Sequence, residues 1–270
     1  MEFPLVKPGG ATVAVTVSVL GSGSSGNCTF IATGRVKVLL DAGFSRAQTA
    51  RRLLAIGERL EDIDALVISH EHSDHVKGLA GLLKTCDILT FVGDATYEAL
   101  SLKPVLKRRE CLRSGESFQI GDLKISPFSV PHDAADPLAF NLEAEGVKIS
   151  HVMDLGVLTG LVRQRMAGSD LLVLESNHDL EMLRLSPYPW AVKQRIMSRH
   201  GHLSNESVGK FFEEDFDGKA AYILLAHLSE NNNHPDIARM VAGKALGKKG
   251  FDPKNLLLAS RSGPSRVIRI

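Results

Sequence analysis

The sequence is poor in cysteine, has no long apolar run, and carries almost no net charge. Its three cysteines, Cys28, Cys86 and Cys111, are far apart and include no CxxC pair. That argues against both a disulfide framework and a thiolate zinc site. Each cysteine reads as a buried hydrophobe in a reducing, cytoplasmic setting. The longest purely apolar run, Ala220 to Ala226, falls far short of the roughly 20 residues a membrane-spanning helix needs, so no membrane partner is expected. Lys and Arg number 32 against 31 Asp and Glu, a formal charge of +1. No global field therefore draws the chain to nucleic acid or to an anionic membrane, and any such partner has to be held locally. In "ATVAVTVSVL" the valines alternate with Thr and Ser, which is the period of a strand rather than of a secretory signal. Repeats, low-complexity tracts and long linkers are missing too. With 270 residues, 44% of them hydrophobic, the expectation is one domain over residues 11–270 behind an irregular arm at 1–10.

What is present is a series of short apolar strands ending in polar residues. Val13 to Leu20 runs into "GSGSSGN", and Thr29 to Ala32 with Val36 to Leu40 reads as a hairpin turning at Thr33-Gly34. Residues 47–57 have helical spacing and a glycine stop. "DALVIS" is the next strand, and "VKGLAGLLK" after His75 reads as a helix. "DILTFVG" follows as a strand, and "DATYEAL" as a short helix capped by Asp94. Two strands around Gly121-Asp122 deliver Pro131-His132, and a hairpin turning at Glu145-Gly146 ends at Asp154. "DLLVLES" ends at Glu175, a long helix is expected over about 187–199, and another starts near Ser204. "AAYILLAH" ends at His227, a last helix covers about 235–246, and "NLLLAS" is the closing strand. Mixed helices and strands with several hairpins favour two mixed sheets with helices outside, a layered α/β fold.

The chemistry concentrates in "ISHEHSDHV", where His70, His72, Asp74 and His75 crowd into six residues directly after an apolar strand. Strand ends can share one sheet edge, so Asp41, His132, Asp154 and His227 can converge with that loop. Imidazole and carboxylate ligands without cysteine suit zinc, manganese or iron at a catalytic rather than a closed structural site. Two such ions about 3.5–4 Å apart can share a carboxylate and a hydroxide nucleophile, and Asp154 is placed to be that carboxylate. Single residues admit plainer roles. Asp154 can cap the helix of "LGVLTGLVRQRM", His227 can be a hydrogen-bonded core histidine, Asp41 can be a turn aspartate before Gly43, and His132 a capped loop residue.

"HEHSDH", the later "PH", "MD" and "AHLS", and the earlier "LLDAG" together resemble the metallo-β-lactamase fold hydrolases, from about Val15 onward. The resemblance implies a four-layer αββα sandwich of two mixed β-sheets flanked by helices, with a dinuclear site. His70, His72 and His132 would hold one metal, Asp74, His75 and His227 the other, with Asp154 between them. Asp41 would orient the metal loop through hydrogen bonds. His72 stands where flavodiiron oxygen reductases carry Glu, which speaks against redox chemistry. Only 72 residues separate Asp154 from His227, leaving no room for a β-CASP domain. "DLLVLES" and "GHLSNESVGKFF" resemble the HEAT and HST motifs of ribonuclease Z, with "ESNHD" and "HLS" as departures. By that resemblance Glu175 pairs with His202. "GSGSSGNC", "ESNHD", "GHLSNE" and "AHLSENNN" together are most similar to the YycJ/WalJ family, viewed as DNA exonucleases or phosphodiesterases.

The function expected is two-metal phosphodiester hydrolysis of nucleic acid, DNA in preference to RNA. Asp74, Glu175 and His202 would be the catalytic residues, with His202 donating the proton to the leaving oxygen. Glu175 can instead support a metal-binding histidine. Ser204 and Asn205 could contact substrate, although Ser204 most simply caps the following helix. Lys103, Lys107, Arg108, Arg109 and Arg113, and near the C-terminus Arg261 and Arg266, offer phosphate contacts or are merely solvated charges; Arg108 and Arg109 are the candidates taken forward. His151, His200 and His234 read as structural, and His178 is left open. Two alternatives stand beside this: a hydrolase of a small thioester, lactone or β-lactam on the same metals, and a metal-stabilised binding or regulatory module. An oligomer is compatible with the sequence.

Overall fold

The computed structural model describes residues 2–3, 15–101, 103 and 106–270. Apart from 2–3, the expected N-terminal arm lies outside the described residues. The described strands form two mixed sheets, of seven and eight strands, with helices flanking them. This is the αββα class expected. Contacts along the chain fall into two compact units, one of residues 1–129, 134–147 and 260–270, the other of 130–133 and 148–259.

The first unit contains the whole seven-stranded sheet, in the order Ile268–Arg269, Thr16–Gly21, Cys28–Ala32, Lys37–Leu40, Ala65–Val67, Leu89–Gly93, Arg109–Leu112. The first three pairings are antiparallel and the last three parallel. Short hairpins join Thr16–Gly21, Cys28–Ala32 and Lys37–Leu40 in antiparallel order, and the helix Arg46–Ala55 crosses over before Ala65–Val67, which pairs in parallel. That helix starts at a capping box between Ser45 and Gln48. Phe30, Leu39, Leu53, Leu66 and Leu82 bury fully in one apolar cluster. Each such side chain contributes about 1.5–3 kcal/mol. An antiparallel set, Phe118–Ile120, Leu123–Ser129 and Leu138–Ala144, completes the unit. Glu2–Phe3 pairs in parallel with the first of these strands.

The second unit is built on the strands Val147–Val152, Leu171–Glu175, Tyr222–Ala226 and Leu256–Leu258, all parallel. Every residue of "LLVLE" is buried, the continuous apolar run that a strand covered on both faces requires. The helix Asn205–Glu214 brings Phe211 and Phe212 inward against Phe216.

Several elements differ from expectation. The long helix over 187–199 is the seven-residue helix Trp190–Ile196, because Pro187 and Pro189 push the residues before them out of the helical region. Asp94 is the first residue of its helix rather than the cap, and Gly93 occupies the cap position. The segment after His75 makes two short helices, Ser73–Val76 and Leu79–Leu83. The chain closes not on Leu256–Leu258 but on Ile268–Arg269, antiparallel to Thr16–Gly21.

Candidate metal centre and its supports

In the first unit the parallel register Leu40↔Val67 brings two strand ends level, so Asp41 lies beside the start of the Ile68–Val76 loop. Asp41 adopts φ 65°, a left-handed conformation that costs a non-glycine residue about 1–2 kcal/mol. The turn aims its carboxylate at the loop. Oδ1 accepts from the Ser69 N–H at 2.8 Å, and Oδ2 from the Ser69 hydroxyl at 3.0 Å and from His75 Nδ1 at 2.7 Å. The Ser69 hydroxyl also lies 2.9 Å from His70 Nδ1. The His70 ring centroid is 4.7 Å from that of His72 and 4.1 Å from that of His75. Asp41 thus lies in a turn and also hydrogen-bonds Ser69 and His75 of the loop.

Asn27, in the "GSGSSGNC" turn, was not anticipated. It is fully buried, and its Nδ2 donates to Asp74 Oδ2 at 2.9 Å and approaches His75 Nε2 at 3.1 Å. Its own N–H donates to the Asp74 carbonyl at 2.7 Å. Gly43 seals this contact, since a Cβ there would meet the Asp74 carbonyl oxygen at 1.9 Å and Asn27 N at 2.3 Å. The only sequence signal was a run of small residues after a strand.

In the second unit the register Val152↔Leu174 and Glu175↔Ala226 sets three strand ends at one level. Asp154, Glu175 and His227 lie there, with Asp154 and His227 at φ 57° and 56°. Asp154, Glu175, His202 and His227 each offer a donor atom within 4.8 Å of the others. The fully buried Glu175 is the hub. Its Oε1 accepts from His227 Nδ1 at 2.7 Å and His202 Nδ1 at 2.8 Å, and its Oε2 from the N–H groups of Leu203 at 3.0 Å and Leu155 at 3.2 Å. Asp154 Oδ1 lies 3.2 Å from His227 Nδ1 and 4.0 Å from His132 Nε2. His132 Nδ1 meets the Gly201 carbonyl at 3.1 Å. Asn177 donates from Nδ2 to the His227 carbonyl at 2.8 Å, bracing its left-handed turn.

Electrostatics follow from this geometry. Burial opposes ionisation of Glu175, but the His202 charge and the hydrogen bonds from both histidines outweigh it and bring the carboxyl down to about 2. Burial likewise opposes a charge on His202, and Glu175 overcomes it, so His202 sits above an ordinary histidine. One oxygen of Glu175 thus serves His202 and His227 alike. Asp154 is not a helix cap, because Thr159 caps Gly160–Met166.

The donor chemistry fits divalent metal. Nδ1 of His75, His132 and His227 each faces an oxygen, which places the proton on Nδ1 and the lone pair on Nε2, the arrangement of a metal-binding imidazole. The Asn27 amide donating toward His75 Nε2 requires the same tautomer. Burial, reinforced by Asp41, pushes the Cys28 thiol far up, so it offers no thiolate.

The expected substrate contacts fare differently. Ser204 caps the helix Asn205–Glu214 by accepting from the Ser207 N–H. Asn205 is buried, accepting from Ser176 Oγ at 2.7 Å and donating to Asn233 Oδ1 at 2.9 Å. Arg109 pairs with Asp94 and lies over the Tyr97 ring at 4.4 Å, and Lys103 pairs with Glu98. Arg108 remains exposed.

Fold and donor set define a metal-dependent hydrolase of the metallo-β-lactamase type. A model of the Beta-lactamase superfamily domain matches residues 36–224. Exodeoxyribonuclease YycJ of Bacillus anthracis is 34% identical over 237 residues, 87% of this chain and 90% of that protein. Exodeoxyribonuclease WalJ of Streptococcus pneumoniae is 35% identical over 240 residues, 86% and 88% of the two chains. The crystal structure of the metallo-β-lactamase fold protein YhfI from Bacillus subtilis superposes with a TM-score of 0.72 at 18% identity, over 95% of this chain and 100% of that one. The chain belongs to the β-lactamase superfamily and, within it, to the YycJ/WalJ family. No helix among the described residues is long and apolar enough to cross a membrane.

Proposed function

We propose that this protein is a two-metal phosphodiesterase that shortens DNA from its ends. His70, His72 and His132 would hold one divalent ion, Asp74, His75 and His227 the other, and Asp154 would serve both. Zinc or manganese suits these ligands, and iron is also accommodated. When bound, the ions supply a water ionised near neutral pH and positive charge against the non-bridging phosphate oxygens.

The protein's own groups divide the remaining work. Asp41 and Glu175 fix the rings of His75 and His227 through Nδ1, which sets their direction and raises their basicity. The second task of Glu175 is to keep His202 protonated, and His202 gives its proton to the departing oxygen. Asn27 keeps Asp74 and His75 in register.

One observation carries this proposal: a single buried carboxylate oxygen of Glu175 accepts from both His227, a metal-binding candidate, and His202, a candidate acid. Hydrolysis of a small thioester, whose thiolate departs without a proton, leaves no task for so firmly held an acid. The preference for DNA is supported by the names of the relatives, exodeoxyribonucleases similar over most of their length.

The test is metal-loaded protein assayed on 5′-labelled single- and double-stranded DNA, RNA, bis(p-nitrophenyl) phosphate and a thioester. Stepwise shortening of DNA is expected. Turnover of the thioester alone would remove the nuclease.

A further inference from the structure

Six large hydrophobic side chains are exposed among the described residues, and three of them fall within eight positions: Leu185 at 80%, Trp190 at 62% and Val192 at 39%. Trp190 is the only tryptophan of the chain. It opens the short helix Trp190–Ile196 directly after Pro189. Tyr188, just before it, accepts a hydrogen bond through its hydroxyl from Asn231 Nδ2 at 2.9 Å, so the approach to Trp190 is tied down. The other end of this helix abuts the catalytic turn. The His202 N–H donates to the Ile196 carbonyl at 2.9 Å, and a Cβ on Gly201 would meet the same oxygen at 2.1 Å.

Charge is as uneven here as hydrophobicity. From Met182 to His202 the sequence has no Asp or Glu and four cations, Arg184, Lys193, Arg195 and Arg199, in a chain of net charge +1. Lys193 is buried with its ammonium on the Arg184 carbonyl at 2.7 Å, and Arg195 pairs with Asp133. Arg184 and Arg199 are exposed and make no ion pair among the described residues.

An exposed aromatic ring set among unopposed cations is the arrangement by which proteins hold single-stranded nucleic acid, the base stacking on the ring and the phosphates meeting the cations. The position fits as well. Six residues at about 1.5 Å each put Trp190 about 9 Å along the helix from Ile196, whose carbonyl accepts from the His202 N–H. We propose that Trp190 is a stacking platform for a base of a DNA strand near the bond cleaved at His202, with Arg184 and Arg199 contacting its phosphates. This rests on the phosphodiesterase function proposed above. A second copy of the chain is the competing occupant, but a symmetric contact sets the same patch against itself and brings like charges together.

The single tryptophan makes the platform directly observable. Full-length, metal-loaded protein is titrated with a phosphorothioate-linked octathymidylate that resists cleavage, and tryptophan emission is followed. Saturable quenching that weakens as salt rises is expected. On cleavable DNA, Trp190→Ala raises KM about tenfold with a smaller change in kcat, Trp190→Phe restores most of the loss, and Arg199→Ala lowers the salt dependence of binding. Unchanged emission on binding, or a Trp190→Ala variant with the KM of the wild type, overturns the platform and leaves the nuclease standing. Quenching without hydrolysis of any DNA sinks the nuclease and leaves the platform. A concentration-dependent blue shift with doubled mass assigns the patch to a second copy and also overturns the proposal.

Discussion

The metal-binding candidates of the first unit arrive together on one loop, His70 to His75, whereas those of the second, His132, Asp154 and His227, each follow a different strand. The first set is compact in sequence and depends on distant partners to hold it. Asp41 and Asn27 clasp it from two other connections. The second set is scattered in sequence and is gathered by strand register around one carboxylate, Glu175. Local crowding thus makes a site conspicuous, while backbone register and left-handed turns make it precise in space. Three of the four non-glycine residues with positive φ among those described, Asp41, Asp154 and His227, carry side chains of these two sets. Strain stored at functional positions is the expected pattern.

The sharpest way to break the first set is Gly43→Ala. The new methyl would have to displace the Asp74 carbonyl and Asn27, so a loss of about 4 kcal/mol or more is expected, at the upper end for one substitution. Thermal unfolding and metal content check it, and a variant that melts and binds metal like the wild type contradicts the clasp. In the second set, His202→Ala is expected to lower kcat on DNA by about 10²–10⁴-fold while bound metal stays constant. An unchanged kcat removes His202 as the acid.

Neutralising the same chemical group in each unit sharpens the contrast. Asp41→Asn and Glu175→Gln should each weaken metal binding by about 10–100-fold. With metal in excess, only Glu175→Gln should remain slow, because only Glu175 also holds a proton donor. Equal rescue of both would make Glu175 a mere counterpart of Asp41.

An effect confined to acid pH concerns His178, buried close in sequence to Glu175. Burial lowers it from an ordinary value of 6.5 to about 4. The unfolded chain therefore takes up a proton at higher pH than the folded one. The stability due to neutral His178 is complete above about 6.5 and is lost as pH falls toward 4, by at most roughly 3 kcal/mol. His178→Gln should flatten that acid limb in denaturant titrations at a series of pH values, and an identical limb contradicts it.

The same contrast explains what the sequence disclosed. "HEHSDH" announces itself because its spacing is the chemistry. The apolar strands announce their own ends, so Asp41, His132, Asp154 and His227 could be singled out. Asn27 was hidden because an asparagine in a Gly-Ser turn looks like ordinary loop chemistry, and its role exists only through contacts with Asp74, 47 positions away. Asn177 was hidden in the same way. Ser204 and Asn205 enter a helix cap and a buried amide network, roles that use the same polar residues as recognition does. The chain passes between the two units within a strand at 147–148, in a short excursion at 130–133 and again at 259–260, and no linker composition marks these points.

Chelator titration, with metal content and DNA hydrolysis measured on the same samples, tests the account most directly. Two divalent ions per chain are expected in the fully active protein, with hydrolysis falling as they leave and returning when zinc or manganese is restored. DNA hydrolysis that persists after all divalent metal has been removed would contradict it.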